Sequence, residues 1–168
     1  WATGNRKSQG AKLDLYIIIS SVPVIAAGFL LHAIDPSFVR SVPIMASMTV
    51  IFGIVLWHAD RFRPATRNLN DLGLKEALLI GMAQCLALIP GVSRSGITMT
   101  AARYLGFERS HAARYSLFLA MVAISGAGTL GGIDLIKSGN ASLSTGAFVA
   151  AFLSFISGLI AISLMMKW

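Results

Sequence analysis

The chain is a series of long apolar runs separated by short polar interruptions, most of them basic. Leu13 to Leu31 is a predominantly apolar run of 19 residues, preceded by Arg6, Lys7 and Lys12. About 20 helical residues cross a hydrocarbon core of ~30 Å, so this run predicts one crossing. Its Pro23 and Gly28 are tolerable where neighbouring helices satisfy the freed backbone. His32, Asp35 and Pro36 break the pattern, and a second helix is predicted from near Ser37 to Trp57, with Trp57 as an interfacial anchor. His58 to Lys75 is the most polar stretch and predicts a basic loop. Asn70 and Asp71 ahead of Glu76 form a helix-start signal, which places the next helix start near Leu72 or Leu74.

The 28 residues from Glu76 to Arg103 carry the polar turn Pro90-Gly91-Val92-Ser93-Arg94-Ser95-Gly96 in their middle. Two crossings need about 40 residues, so this segment cannot cross twice. A single crossing would set Arg94 inside a helix that Pro90 and Gly91 interrupt. Basic residues stand on both flanks, Arg61, Arg63, Arg67 and Lys75 before, Arg103, Arg109 and Arg114 after, and such residues favour the cytoplasmic side. A re-entrant hairpin meets both conditions. It enters from about Leu74 to Ile89, turns at Pro90 to Gly96 and leaves from Ile97 to Leu105. Beyond it, Ser110 is a candidate cap for a crossing from Ala112 to Leu135, whose Gly126, Gly128, Gly131 and Gly132 suit close helix contact. A polar loop from Lys137 to Ser144 leads to the last crossing, Gly146 to Met166. The expectation is an all-α fold of four transmembrane helices plus one re-entrant helix–loop–helix, both ends cytoplasmic.

Composition agrees with the pattern. The chain is 55% hydrophobic and 12% charged, and its mean hydropathy of +0.73 is that of an integral membrane protein. Short connections predict a single domain over residues 1–168. The net charge of +7 lies at the ends of apolar runs, with no basic patch interleaved with aromatics, so nucleic acid is excluded as a partner and lipid head groups are the expected anions. Cys85 alone allows no intrachain disulfide and no metal-type cysteine spacing. Residue 1 is Trp and the first dozen residues hold no signal-peptide core, which suggests that the chain begins inside a longer gene product.

Each residue type in the turn has a physical use. Gly91 and Gly96 permit backbone conformations and close approach that side chains would block. If the outgoing helix begins just after Ser93, its free N–H groups and positive dipole end face whatever the turn holds. Arg94 adds a permanent charge with a planar fork suited to phosphate oxygens, and Ser93 and Ser95 add hydroxyls. Together these make an anion site, and at membrane depth the anion is a lipid phosphate. The structural alternative is that Arg94 pairs with a buried acid or caps carbonyls and only joins helices.

The run from Gln84 to Gly96 resembles the second signature of the undecaprenyl-pyrophosphate phosphatase family, the bacitracin-resistance type of membrane phosphatase. The resemblance implies hydrolysis of undecaprenyl diphosphate to undecaprenyl phosphate and phosphate, in the bacterial cytoplasmic membrane, to recycle the carrier for cell-wall synthesis. It implies an inverted-repeat fold with a re-entrant hairpin in each half. Ser93 and Arg94 match catalytic positions. Gly91, Ser93, Arg94, Ser95, Gly96 and Gln84 match substrate-binding ones. The family's paired glutamates, and its histidine after a similar turn, belong to an N-terminal repeat whose motifs this sequence lacks. The expected partners are therefore the polyprenyl diphosphate lipid, the membrane, and an N-terminal half or second chain bringing acid–base groups. Mg2+ or Ca2+ is implied by the resemblance alone, since no metal ligand set is visible here. His32, His58 and His111 fall at loops or helix ends, and Glu76, Glu108 and Asp134 near interfaces, so none makes a base beside Arg94. The alternatives are a non-catalytic polyprenyl-phosphate binder or transporter of the same fold, and a purely structural membrane subunit.

Overall fold

The computed structural model describes residues 2–34, 41–63, 65–137 and 141–166. These form six α-helices: α1 (Ala2–Ile34), α2 (Val42–Phe62), α3 (Leu74–Gln84), α4 (Arg94–Tyr104), α5 (Arg109–Lys137) and α6 (Ala141–Met166). Four are long and apolar enough to cross a membrane, over Gly10–Leu31, Val42–Phe62, Arg109–Ile133 and Gly146–Leu164. The expected turn at Asp35 and Pro36, the helix start near Ser37 and the loop at 138–140 lie outside the described residues, as do the side chains of His32 and Asp134. By their internal contacts the residues divide into two compact units, 1–124 and 125–168. The first holds the site.

Several boundaries differ from the sequence reading. The polar start of α1 is already helical from Ala2. α2 runs to Phe62, not to Trp57, and so takes up residues assigned to the basic loop. The extra turn is held by partners: His58 Nδ1 lies 2.9 Å from the Tyr104 hydroxyl, and Asp60 binds two arginines. Ser110 does not cap α5, which starts one residue earlier; the Glu108 carbonyl accepts the Ala112 N–H instead. A Cβ on Gly126, Gly128, Gly131 or Gly132 would meet nothing within 4 Å, so these glycines make no close helix contact among the described residues.

Helices α3 and α4 have 11 residues each, roughly 16 Å at 1.5 Å per residue, about half a hydrocarbon core. α3 starts at Leu74, where the Gly73 N–H donates to Glu76 Oε2 at 3.1 Å; glycine has no side chain to return the bond. A tighter 3-10 turn, Cys85–Leu88, prolongs it to the polar turn. The outgoing helix begins at Arg94, three residues before the expected Ile97.

The two ends of this helix–turn–helix meet. Thr66 and Arg67 N–H groups both donate to the Gly106 carbonyl, and the Glu108 N–H donates to the Arg67 carbonyl. Arginine side chains reinforce the junction, which we call the mouth. Arg67 Nη1 donates to the Leu105 carbonyl at 3.1 Å, and its Nη2 reaches Glu76 Oε1 at 2.9 Å. Arg103, only 3% exposed, donates through Nη1 to the Phe107 carbonyl at 2.7 Å and through Nη2 to the Asp60 carbonyl at 3.1 Å. Its Nε lies 3.2 Å from Asp60 Oδ1, a charge contact without the alignment of a hydrogen bond. Arg109 holds the other Asp60 oxygen at 2.6 Å.

From the mouth, α3 lies along α1 and α4 along α2. Glycines set the spacing. A Cβ on Gly81 would collide with the backbone of Ser20 in α1, and one on Gly91 with the backbone of Met45 in α2. Gly91 also has φ of 95°, a conformation that side chains resist. The Ser20 hydroxyl donates to the Ala77 carbonyl at 2.7 Å and lies 2.6 Å from the Tyr115 hydroxyl, which reaches the Tyr16 carbonyl at 3.2 Å. Around these bonds Ile17, Leu72, Ile80, Ala102, Phe107 and Leu119 form the buried core. The polarity is that of a membrane protein: buried Ser20, Ser21, Thr98, Thr100 and Ser116 lie inside, while large apolar side chains of α1, α2, α5 and α6 are exposed.

Two outcomes follow for stability. Gly81→Ala and Gly91→Ala should each cost about 1–3 kcal/mol through overpacking, read as a lower melting temperature in detergent, whereas Gly126→Ala should leave it unchanged. At the mouth, the hydrogen bond from Arg67 holds the Glu76 carboxyl below the usual carboxylate range, helped by the Gly73 N–H. The folded value lies below the unfolded one of about 4.3, so the pair's contribution is present above that pH and is lost as pH falls through the depressed value. Between about pH 6 and pH 3 the melting temperature should therefore fall further for the native protein than for Glu76→Gln.

Candidate functional site

The turn at 90–96 is the far end of the helix–turn–helix. Its Gly91 carbonyl accepts a hydrogen bond from Thr49 Oγ1 at 3.0 Å, which fixes it to α2 beside Met45. The mouth is fixed to the same helix at Asp60, 11 residues beyond Thr49 and 15 beyond Met45, so the turn lies roughly 16–22 Å away along α2. Helix α1 gives a similar distance: Tyr16 packs with the mouth cluster, while Gly28, 12 residues on and roughly 18 Å away, meets Leu88.

Ser93 caps α4. Its backbone is extended, with φ of −68° and ψ of 122°, and its Oγ accepts the Gly96 N–H at 3.2 Å. The hydroxyl proton of Ser93 is then free to donate, and Ser95 Oγ lies 3.4 Å away. Arg94 and Ser95 occupy the first two helical positions, whose N–H groups have no acceptor within the helix. Behind them the first turn is braced by hydroxyls. Thr98 donates to Ser116 of α5 at 2.8 Å, Ser116 donates to the Ser95 carbonyl at 3.2 Å, and Thr100 donates to the Gly96 carbonyl at 2.7 Å.

The structure thus brings Gly91, Ser93, Arg94, Ser95 and Gly96 together. Arg94 is half-buried and its guanidinium has no hydrogen bond or ion pair among the described residues. The helix-joining role that was its alternative reading is performed at the mouth by Arg103. Gln84, the last residue of α3, is wholly buried, so it does not share the open side of the turn; both atoms of its amide lack a partner. The second layer of the site, Thr49, Thr98, Thr100 and Ser116, was missed from sequence. Its signal was faint: hydroxyl residues inside apolar runs.

Seven acids occur in the chain, and the five whose side chains are described, Asp14, Asp60, Asp71, Glu76 and Glu108, lie at or beside the mouth. His58 is at the same end, against Tyr104, and His111 Nε2 lies 3.8 Å from Glu108 Oε2. Among the described residues no three His, Cys, Asp or Glu side chains gather to hold a metal ion. What the turn offers is charge, hydroxyls and two free N–H groups on one side, the donor set for a phosphate.

Comparison with known proteins gives the family of the chain. A family model described as bacitracin resistance protein BacA matches residues 1–168. The chain is 42% identical over 168 residues to the undecaprenyl-diphosphatase of Roseobacter denitrificans, covering 99% of this chain and 62% of that protein. It is 39% identical over 171 residues to that of Alteromonas mediterranea, covering 100% and 64%. With undecaprenyl-diphosphatase 1 of Rhodospirillum rubrum the identity is 38% over 164 residues, covering 97% and 58%. The chain therefore spans between 58% and 64% of the length of these relatives and belongs, over its whole length, to the bacitracin resistance protein BacA family.

Proposed function

We propose that this chain supplies the diphosphate-binding hairpin of an undecaprenyl-diphosphate phosphatase. The observation that carries the reading is the guanidinium of Arg94, without a partner among the described residues, at the head of a helix whose first turn is braced from behind. Arg94 neutralises the diphosphate, the N–H groups of Arg94 and Ser95 and the hydroxyls of Ser93 and Ser95 take its oxygens, and Gly91 and Gly96 let it approach. Charge that grows on the phosphoryl oxygens in the transition state is met by donors already in place. On this reading the acid–base groups come from residues other than those described here, an N-terminal repeat or second chain being the source that the family resemblance implies.

In the membrane, the helix–turn–helix is re-entrant and forms the hairpin of one half of an inverted-repeat fold. Its joined ends support this, since two 11-residue helices meeting at one mouth cannot cross. The turn sits roughly 16–22 Å from a mouth rich in arginine, past the middle of a ~30 Å core. The lipid's diphosphate therefore reaches it from the side opposite the basic loops. One observation favours a second reading, a non-catalytic polyprenyl-phosphate binder or transporter: every described acid stands at the mouth, away from the turn.

Phosphate release from undecaprenyl diphosphate by the whole protein tests the assignment. Arg94→Ala should lower the rate about 100-fold or more, the usual cost of removing one preorganised donor, and Arg94→Lys should recover part of it. Unchanged release in Arg94→Ala would show the role to be wrong. Intact lipid binding without release in the native protein would favour the binder. In the same assay Gln84→Leu should stay within about threefold of the native rate and raise the melting temperature, because it removes two buried polar groups that have no partner.

A further inference from the structure

A second basic site lies at the mouth, away from the turn. Between the start of α1, the 3-10 turn Leu69–Asp71 and the start of α5 is a cavity of about 400 Å3, lined by Lys12, Tyr16, Asn70, His111, Arg114 and Phe118 among others. Among the other mouth cations, Arg67 pairs with Glu76, and Arg103 and Arg109 share Asp60; Arg61, Arg63 and Lys75 have no ion pair among the described residues but do not line this cavity. Lys12 and Arg114 have no ion-pair partner among the described residues, and His111 Nδ1 is buried with no hydrogen-bond partner. Of the carboxylates near it, Glu108 lies 3.8 Å from His111 Nε2, Asp71 is taken by the Asn68 N–H at 2.8 Å, and neither Asp71 nor Asp14 lines the cavity. Two cations without an ion pair, Lys12 and Arg114, therefore face each other across this one cavity.

The wall is layered. Lys12 and Tyr16 are four residues apart on α1, and Arg114 and Phe118 four apart on α5, so each helix presents a cation and, one turn deeper, an aromatic ring on the same face. Lys12 is the third residue of the candidate span Gly10–Leu31 and Arg114 the sixth of Arg109–Ile133, which sets both cations within roughly 3–8 Å of the span ends. That is the level at which phospholipid phosphates lie, with acyl chains beginning below them. A soluble anion would have no use for the apolar floor. A cation would be repelled by the rim.

We propose that this cavity binds the headgroup of an anionic phospholipid, its phosphate between Lys12, His111 and Arg114 and the upper part of its acyl chains against Tyr16 and Phe118. The proposal is independent of the chemistry at the turn. Native mass spectrometry of the whole protein in neutral detergent, titrated with phosphatidylglycerol or phosphatidylcholine, tests it. The native protein should prefer phosphatidylglycerol. Lys12→Gln with Arg114→Gln should weaken that lipid roughly 25-fold, about fivefold for each basic group lost beside an anionic headgroup. Removing two exposed charges elsewhere on the mouth, Arg61→Gln with Lys75→Gln, should change it less than about threefold. An equal loss in both pairs would mean diffuse attraction and overturn the proposal. So would a phosphatidylglycerol preference that survives Lys12→Gln with Arg114→Gln, or glycerol phosphate binding as tightly as the lipid. Melting temperatures in phosphatidylcholine check that both pairs fold; if the first does not, Lys12→Gln alone should show the fivefold loss, and no loss would count against the site.

Discussion

A guanidinium stays charged at any pH the protein meets, so an arginine taken out of water must be given oxygen atoms. The first unit is arranged around that requirement. Arg103 sits at the foot of α4, almost wholly buried, and draws its oxygens from the end of α2 and from the loop after α4. Removing it would leave Asp60 and a set of carbonyls without partners at the point where three elements meet. Breaking a buried pair in this way is far more costly than its net contribution suggests. Arg67 performs the same service for the start of α3 and the end of α4. With both ends of the helix–turn–helix tied, its depth is set by length and by two glycine contacts.

Arg94 stands against this background. It shares a helix with Arg103, yet the chain gives it no acceptor among the described residues while it surrounds the adjoining backbone with hydroxyl donors. The bracing reaches the carbonyls of Ser95 and Gly96 and leaves the N–H groups of Arg94 and Ser95 for a ligand. An arginine that only joined helices would resemble Arg103. The contrast between the two is the physical basis of the proposed anion site.

Much of this was legible because the constraints were local or simple sums. Segment length and the flanking charges were enough to expect two short helices joined by a turn from about Leu74 to Leu105, and the turn's residue types led to the proposal of an anion there. What was not legible depended on distant partners. The run of α2 past Trp57 depends on Tyr104 and Arg103, which lie more than 40 residues away and give His58 and Asp60 their contacts. The start of α4 at Arg94 depends on the Ser93 cap winning over the short polar run that follows it. Gln84 was a substrate-binding candidate through the family resemblance, and its burial became visible only with α3 in place. The sorting of arginines into paired and unpaired needs the fold, since sequence shows only that they flank apolar runs.

The central claim is that residues 74–104 go into the membrane and return on the side they entered. Single cysteines at Asn70 and Ser110, both exposed and one on each side of the helix–turn–helix, can be placed in the whole protein after Cys85→Ala removes the native thiol. Labelling with a membrane-impermeant maleimide, in right-side-out and then inverted vesicles, reports the side of each. The account predicts that both cysteines react in the same vesicle orientation and neither in the other. Reaction of the two from opposite faces would contradict it and turn the segment into a crossing.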